Sequence, residues 1–180
     1  MSRLPLVDAS HAEGKTKELL DAVKSKMGMV PNITKAMATA PALLEGYLGL
    51  SGALGHGVLD PKLRERLAIE TAESNGCGYC LSAHSLMGKM AGLDESERTA
   101  NRRGRSNDPK ADAALVFARA VLEKRGAVSD AEFAAVRDAG FSDAEINEII
   151  GHVGLNVLTN FFNNVAQTPI DFPVVPPLEG

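Results

Sequence analysis

Three residues near the middle of the chain have the types and the spacing that thiol chemistry needs. Cys77, Cys80 and His84 stand at positions i, i+3 and i+7 of one predicted helix, so their side chains share one face. Two cysteines three residues apart near a helix start can approach disulfide geometry. The helix N-terminus favours a thiolate, and a histidine one turn after Cys80 can accept or hold its proton. The pattern therefore predicts a site where a disulfide opens and closes reversibly.

The carboxylates that could exchange protons with these thiols lie just upstream. Glu65, Glu70 and Glu73 all belong to the predicted helix that precedes the cysteine helix. The break at Asn75-Gly76 allows the two helices to fold back against each other, which brings one of the carboxylates near the thiols. Helical periodicity alone does not select among the three.

The cysteine pair has two other interpretations. In the first, the cysteines are small buried residues and the histidine is a hydrogen-bonded core residue. In the second, zinc binds the pair and the histidine, with a fourth ligand from His56, His152 or Glu65. Structural zinc usually draws on two separated ligand pairs, and this chain has only one. We therefore favour the redox interpretation, with no bound metal.

The composition indicates one globular domain covering residues 1–180. Hydrophobic residues make up 44% and charged residues 23% of the chain, and the net charge of −4 argues against a nucleic-acid partner. No signal peptide is recognisable, and no segment approaches the roughly 20 apolar residues of a membrane span. We expect a cytoplasmic protein without a membrane partner. Because the cytoplasm is reducing, its two cysteines are expected to serve chemistry rather than a structural disulfide.

Helix-start and helix-stop signals recur along the whole chain, and no segment shows the alternation typical of strands. The fold class expected is all-α, with about eight helices and no sheet. A long final helix should run to about Val165, followed by an extended tail, 168–180, with four prolines. Four predicted helix starts are marked by Asp60-Pro61, Asp108-Pro109 and the capping boxes Ser129–Glu132 and Ser142–Glu145.

Two further groups of residues are interpreted as structural. His152, Asn156 and Asn160 form a polar stripe at helical spacing on the long final helix, which we interpret as hydrogen-bonded side chains at a helix or subunit contact. The methionines are interpreted as core filling rather than as a binding surface; this applies to Met27, Met29, Met37, Met87 and Met90.

The order Glu65, Cys77-Gly78-Tyr79-Cys80, His84 resembles the signature of the alkyl hydroperoxidase D and carboxymuconolactone decarboxylase-like family. That family places a glutamate twelve residues before the first cysteine and a histidine four residues after the second, as this chain does. The late segments 155–166 and 170–173 also resemble the family's peroxidase-related branch. The resemblance extends from about Pro41 to the end and is most specific over residues 65–84.

The resemblance implies an AhpD-like helical domain that assembles as a homo-oligomer and needs no bound cofactor. In such a protein Cys80 attacks a hydroperoxide, Cys77 resolves the sulfenic acid and donates a proton, and Glu65 and His84 complete a proton relay. An external dithiol then reduces the disulfide. One departure is Tyr79, which stands where the best-studied branch has histidine. A phenol is no base near neutral pH, so turnover is expected to be weaker or the substrate different.

Some alternatives remain open at the level of sequence. The helix dipole is strongest at the first residue and would activate Cys77 rather than Cys80, against the roles that the resemblance implies. A carboxymuconolactone decarboxylase-like lyase on the same fold is a second functional reading, although that chemistry does not need the cysteine pair. A non-enzymatic metal-binding or redox-sensing protein is a third.

Overall fold

The computed structural model describes residues 2–176 and 178. In this part of the chain it contains nine α-helices and no strand, so the all-α prediction is confirmed with nine helices where about eight were expected. The helices are α1 (Gly14–Met27), α2 (Asn32–Met37), α3 (Pro41–Gly55), α4 (Pro61–Ser74), α5 (Gly78–Met90), α6 (Glu95–Arg102), α7 (Pro109–Glu123), α8 (Asp130–Asp138) and α9 (Asp143–Ala166).

The helix ends form through the local contacts that the sequence predicts. The Asp60 and Asp108 carboxylates each accept two backbone N–H groups of the following first turn. Both capping boxes form, with the Ser129 and Ser142 hydroxyls accepting an N–H and the glutamate three residues on bonding back. Gly28 ends α1 in a left-handed conformation with φ of 75°. These contacts satisfy backbone groups that helix ends otherwise leave unpaired.

Helix α4 is the centre of the fold, because it packs against α5, α6, α7 and α9. It contributes to two hydrophobic cores: Ile69 faces the core formed with α1, α2, α3 and α5, and Leu67 faces the core formed with α7, α8 and α9. The largest fully buried side chains of the two cores include Leu20, Met37, Leu44, Leu115, Ile146 and Ile149. The predicted cysteine helix α5 is thus held against a fully packed helix.

A tight turn connects α4 to α5 and fixes where the cysteine helix begins. Gly76 adopts φ of 61°, a left-handed conformation that favours glycine. The Cys77 backbone N–H then donates to the Ala72 carbonyl over 2.8 Å. The chain is thereby folded back so that α5 lies along α4.

Helix α9 buries polar as well as apolar residues and leaves several other apolar residues exposed. Its outward face carries Ile150, Leu158, Phe161 and Val165. Its buried face carries His152, Asn156, Thr159, Asn160 and Asn163. No helix of the described residues, α9 included, is long and apolar enough to cross a membrane.

The C-terminal tail returns across α5. Residues 168–176 contain neither helix nor strand, as expected for a proline-rich tail. The Val175 N–H donates to the Ser82 hydroxyl on α5 over 3.1 Å. Of the predicted tail, positions 177, 179 and 180 lie outside the described residues.

Candidate thiol active site

The two cysteines adjoin each other at the start of α5. Cys77 is the N-cap of this helix, and its Sγ accepts the backbone N–H of Cys80 over 3.3 Å. Both are free thiols and almost completely buried, with 1% and 3% of their surface exposed. The predicted placement of the pair at a helix start is therefore observed, with the first cysteine just outside the helix and the second in its first turn.

The surroundings of the two thiols shift their pKa values in opposite directions. Hydrogen bonding from the Cys77 thiol is the largest cause that lowers the pKa of Cys80 to about 6; burial opposes it, and the His84 charge adds to it. The pKa of Cys77 is raised, first by that same hydrogen bond and then by burial. Cys80 is therefore the thiol with thiolate character, whereas the helix dipole alone favours Cys77.

His84 is hydrogen-bonded to Glu65 of the neighbouring helix. Its Nδ1 lies 2.9 Å from the Glu65 Oε2, and both side chains are about one-fifth exposed, at 22% and 20%. Burial by itself lowers the pKa of His84, but the charge and hydrogen bond of Glu65 reverse this, so that the net shift is upward. Since a carboxylate only accepts, Nδ1–H is the donor and Nε2 is left for proton exchange.

The other two candidate carboxylates of α4 have different partners. Glu70 is fully buried and bonds to the Ser74 hydroxyl and the Arg119 guanidinium, 3.1 Å away. Glu73 accepts from Arg102 over 2.6 Å. The structure thus brings Glu65, and neither of the other two, into contact with His84.

Asn163 contacts the reactive sulfur, although the sequence did not single it out. Its Nδ2 donates to the Cys80 Sγ over 3.2 Å, and this bond helps to lower the pKa of Cys80. The neighbouring Asn160 side chain also lowers the pKa of Cys80. The Nδ2 of Asn160 forms no hydrogen bond within the described part of the chain. The available signal was the polar stripe of α9: Asn163 is one turn beyond Asn160 on the same face. At the other end of that stripe His152 is buried, and its Nε2 has no partner among the described residues.

A cavity of about 70 Å³ opens at Cys80 and His84. The rest of its lining is mainly apolar: Met27, Pro31, Ile33, Thr34, Tyr47, Tyr79, Ala83, Met87, Thr159, Asn163 and Phe172. The interpretation of all the methionines as core filling is therefore wrong: Met37 is fully buried, but Met27 and Met87 line this cavity. Unbranched, polarizable side chains suit such an adaptable wall. A larger, open depression of about 740 Å³ near the N-terminal segment contains neither cysteine.

Tyr79, the departure from the family pattern, is directed toward the tail. Its hydroxyl donates to the Asp171 Oδ1 over 2.8 Å and accepts the backbone N–H of Ile33 over 3.2 Å. Burial, followed by the effect of Asp171, raises the pKa of this phenol. Tyr79 is thus a hydrogen-bonding residue and does not supply a base near neutral pH.

The alternative zinc ligands are dispersed. His56 is exposed at the end of α3, whereas His152 is buried on α9. Within residues 2–176 and 178, no three His, Cys, Asp or Glu side chains form a group that could hold a metal ion.

The fold and this site define an all-helical protein with a buried Cys-x-x-Cys pair beside a histidine–glutamate pair, and known proteins share the fold. Residues 41–124 match the model of the carboxymuconolactone decarboxylase family. Together with the structural relatives below, this match confirms the predicted resemblance to the alkyl hydroperoxidase D and carboxymuconolactone decarboxylase-like family. No curated protein matches the chain in a sequence search.

Solved structures with the same fold cover nearly all of the chain. An alkylhydroperoxidase core, an uncharacterized peroxidase-related protein from Ralstonia eutropha JMP134, is 24% identical, with a TM-score of 0.85 over 94% of this chain and 92% of its own. A peroxidase-related protein from Silicibacter sp. TM1040 is 25% identical, with a TM-score of 0.81 over 93% and 89%. The debrominase Bmp8, solved as a cysteine-to-alanine variant in complex with 2,3,4-tribromopyrrole, is 18% identical, with a TM-score of 0.80 over 95% and 92%.

Proposed function

We propose that the protein is a thiol-based hydroperoxide reductase in which Cys80 attacks and Cys77 resolves. The observation that carries the proposal is the opposite shift of the two thiol pKa values within one buried pair. A nucleophilic cysteine needs thiolate character, and Cys80 has it while facing a cavity. Resemblance to a family with peroxidase-related relatives supports the same conclusion.

In the first step the Cys80 thiolate attacks one oxygen of the hydroperoxide, ROOH. An S–O bond forms and the O–O bond breaks, so that sulfur is oxidised by two electrons and the alkoxide RO⁻ leaves. His84 protonates this leaving group, which departs as the alcohol, while the Glu65 carboxylate stabilises the histidine cation. Cys80 is left as a sulfenic acid.

In the second step the Cys77 sulfur attacks the Cys80 sulfenic acid. An S–S bond forms, the S–O bond breaks, and the hydroxyl leaves as water with the proton of the Cys77 thiol. An external dithiol reduces the disulfide by thiol–disulfide exchange and is itself oxidised to a disulfide. The cycle requires no bound cofactor, only a hydroperoxide and that dithiol.

A thiol count before and after one equivalent of an organic hydroperoxide tests this proposal. We expect two free thiols to become none, with intact mass showing the loss of two hydrogens and peptide mapping placing a Cys77–Cys80 bridge within one peptide. A dithiol should restore both thiols. Two free thiols after excess peroxide would contradict the proposal. Including a brominated pyrrole as a comparison substrate tests for the chemistry named for the debrominase relative.

The two alternative functions make different predictions in the same experiments. A decarboxylase-like lyase should keep its activity when Cys77 and Cys80 are replaced, because that chemistry does not need a redox pair. A metal-binding or redox-sensing protein should retain stoichiometric metal after purification or show no turnover with hydroperoxide and dithiol. Metal analysis, multiple-turnover kinetics and the cysteine replacements together therefore separate all three.

We further propose that the chain assembles with copies of itself through the outward face of α9. Ile150, Leu158, Phe161 and Val165 form an exposed apolar stripe with spacings of eight, three and four residues, and residues 149–166 contain no Asp, Glu, Lys or Arg. The neighbouring helix α3 is also unusually apolar for its exposure, since Leu44 is its only fully buried residue. Apolar surface of this extent is typical of an interface.

A further inference from the structure

We propose that Phe172 determines which hydroperoxides reach Cys80, and that the hydrogen bond between Tyr79 and Asp171 holds Phe172 in place. This inference rests on the proposed hydroperoxide reductase activity and adds the basis of its substrate selection. It assigns a role to Tyr79, the position at which the chain departs from the family pattern. It also gives the C-terminal tail a function at the active site.

Hydrogen bonds around the Asp171 carboxylate join the tail to the helices, and we call this group of bonds the clasp. Asp171 accepts from the Tyr79 hydroxyl through Oδ1 over 2.8 Å and from the Asn32 backbone N–H through Oδ2 over 2.8 Å. The Tyr79 hydroxyl in turn accepts the Ile33 N–H. Both oxygens of one tail carboxylate are therefore bonded to the body of the protein, one to α5 and one to the start of α2. Hydrogen bonds to a charged group are stronger than those between neutral groups, so this carboxylate is a firm anchor.

Further contacts anchor the tail on both sides of this clasp. The Asn32 side chain donates to the Pro169 carbonyl over 3.1 Å, before Asp171 in the chain. The Val175 N–H bonds to Ser82 of α5, and the Arg102 guanidinium donates to the Pro176 carbonyl over 2.6 Å. Phe172 thus lies between fixed points, and its backbone has little freedom to move away from α5.

These anchors place the Phe172 ring in the wall of the reactive cavity. The ring meets Tyr79 edge-on, with centroids 5.6 Å apart and planes inclined by 85°. Phe172 also lines the cavity at Cys80, opposite residues supplied by the helices. A tail residue therefore forms part of the wall of a pocket that is otherwise lined by Pro31 and by side chains of α1, α2, α3, α5 and α9.

The small size of the cavity makes the position of Phe172 important for substrate selection. The volume of this cavity is only about 70 Å³, and Phe172 is one of its lining residues. Because Phe172 lines this small space, we expect a bulky aromatic hydroperoxide to reach Cys80 more easily when the Phe172 ring is removed or displaced. Tyr79 thus replaces the basic histidine of the family pattern with a phenol that bonds to the tail. Through this bond it restrains the tail, and the tail in turn limits the size of the substrate.

The test compares Phe172→Ala and Tyr79→Phe with the wild-type protein. Tyr79→Phe keeps the ring and removes only the hydroxyl that bonds to Asp171. Single-turnover oxidation of Cys80 is measured with hydrogen peroxide and with cumene hydroperoxide. We expect the ratio of the cumene rate to the hydrogen peroxide rate to rise about tenfold in both variants, since pocket contacts of this size discriminate by that order. Val174→Ala is the matched control, because Val174 is an exposed residue of the same tail.

A second measurement reports on the clasp and on access without requiring peroxidase chemistry. Hydrogen exchange at the Val175 amide should accelerate in Tyr79→Phe but not in the control. Alkylation of Cys80 by a bulky maleimide, relative to iodoacetamide, should accelerate in both test variants. If the wild-type protein reacts with neither peroxide, the proposed function is wrong. If the peroxide and alkylation ratios are unchanged in Tyr79→Phe or in Phe172→Ala, the inference about Phe172 is overturned. A stability measurement on each variant identifies any that has lost its fold, in which case Asp171→Ala replaces Tyr79→Phe as the variant that opens the clasp.

Discussion

The side-chain amide of Asn163 donates to the Cys80 sulfur over 3.2 Å, across a separation of 83 residues along the chain. This bond joins the last helix to the cysteine helix at the atom where the proposed chemistry begins. A donor aimed at sulfur stabilises the thiolate, which is the form that attacks the peroxide. Asn163 therefore belongs with the four residues of the family signature in any account of this site.

Replacing the amide should make Cys80 less acidic. Asn163→Leu keeps a similar volume but removes the donor, and a hydrogen bond to a charged group is worth about 1.5–3 kcal/mol, or roughly one to two pKa units. We expect the pKa of Cys80 to rise by about one to two units from about 6, which reduces the thiolate fraction at pH 7 and slows oxidation about two- to tenfold. The pH dependence of thiol alkylation measures the shift. Asn164→Leu is the control, since Asn164 is exposed on the same helix and contacts neither cysteine.

The wild-type protein should show the lowered pKa of Cys80 directly. The thiolate is the reactive form, so the rate of alkylation of Cys80 should rise with pH through about 6 and level off above it. After denaturation the midpoint should move toward the ordinary value of a thiol, near 8.5. A folded-state midpoint at that ordinary value would contradict the electrostatic account of the site. Cys77, whose pKa is raised, should remain unreactive throughout the neutral range.

Replacing the cysteines one at a time tests the proposed roles. In Cys77→Ser, Cys80 should still react with peroxide, and its sulfenic acid should accumulate because the resolving thiol is gone. A sulfenic-acid probe should then label Cys80, or prolonged exposure should give the sulfinic form. In Cys80→Ser, the remaining Cys77 should react slowly. Labelling of Cys77 in the second variant, with none of Cys80 in the first, would reverse the roles and support the helix-dipole argument instead.

The hydrogen-bonded pair of His84 and Glu65 should assist the reaction without being indispensable. His84→Gln and Glu65→Gln each remove one proton-transfer partner, and such catalysis typically contributes about 10²–10⁴-fold. We expect slower oxidation of Cys80 in both, with a disulfide still formed. Glu70→Gln offers a comparison on the same helix, because Glu70 bonds to Ser74 and Arg119 and not to His84. It should change stability more than the rate, and an equal loss of rate in all three would argue against a specific relay.

The outward face of α9 should determine the state of association. Wild-type protein at micromolar concentration should scatter light as a multiple of 19.0 kDa. Phe161→Glu places a charge in the middle of the apolar stripe and should dissociate the assembly, because burying an unpaired charge costs several kcal/mol. Met90→Glu is the control, since Met90 is the most exposed large hydrophobic residue, at 79%, and lies on α5, outside the stripe. A 19.0 kDa wild-type species would contradict the proposal.

The pairing of α4 with α5 shows which features of the site could be predicted from local sequence patterns and which could not. Capping residues and glycine stops are short-range signals, so they predicted the starts and ends of the helices closely. The i, i+3, i+7 spacing likewise predicted one shared face for the two cysteines and His84. The proton partner was different: three glutamates lay on the adjacent helix, and helical periodicity did not distinguish them, whereas the family resemblance selected Glu65. Only tertiary packing assigns their partners: α4 meets α5 where Glu65 reaches His84, α7 where Glu70 reaches Arg119, and α6 where Glu73 reaches Arg102.

The sequence by itself determined the chemistry that is available and the helices that carry it, because residue type, spacing and capping act over one or two helical turns. The tertiary structure decided which thiol is the more acidic and which distant residues meet it. Asn163 reaches Cys80 from α9, and Asp171 reaches Tyr79 from the tail. Such contacts depend on how each helix is rotated and where the tail is anchored, and packing over the whole fold sets both. The local pattern around the cysteines contains no information about either.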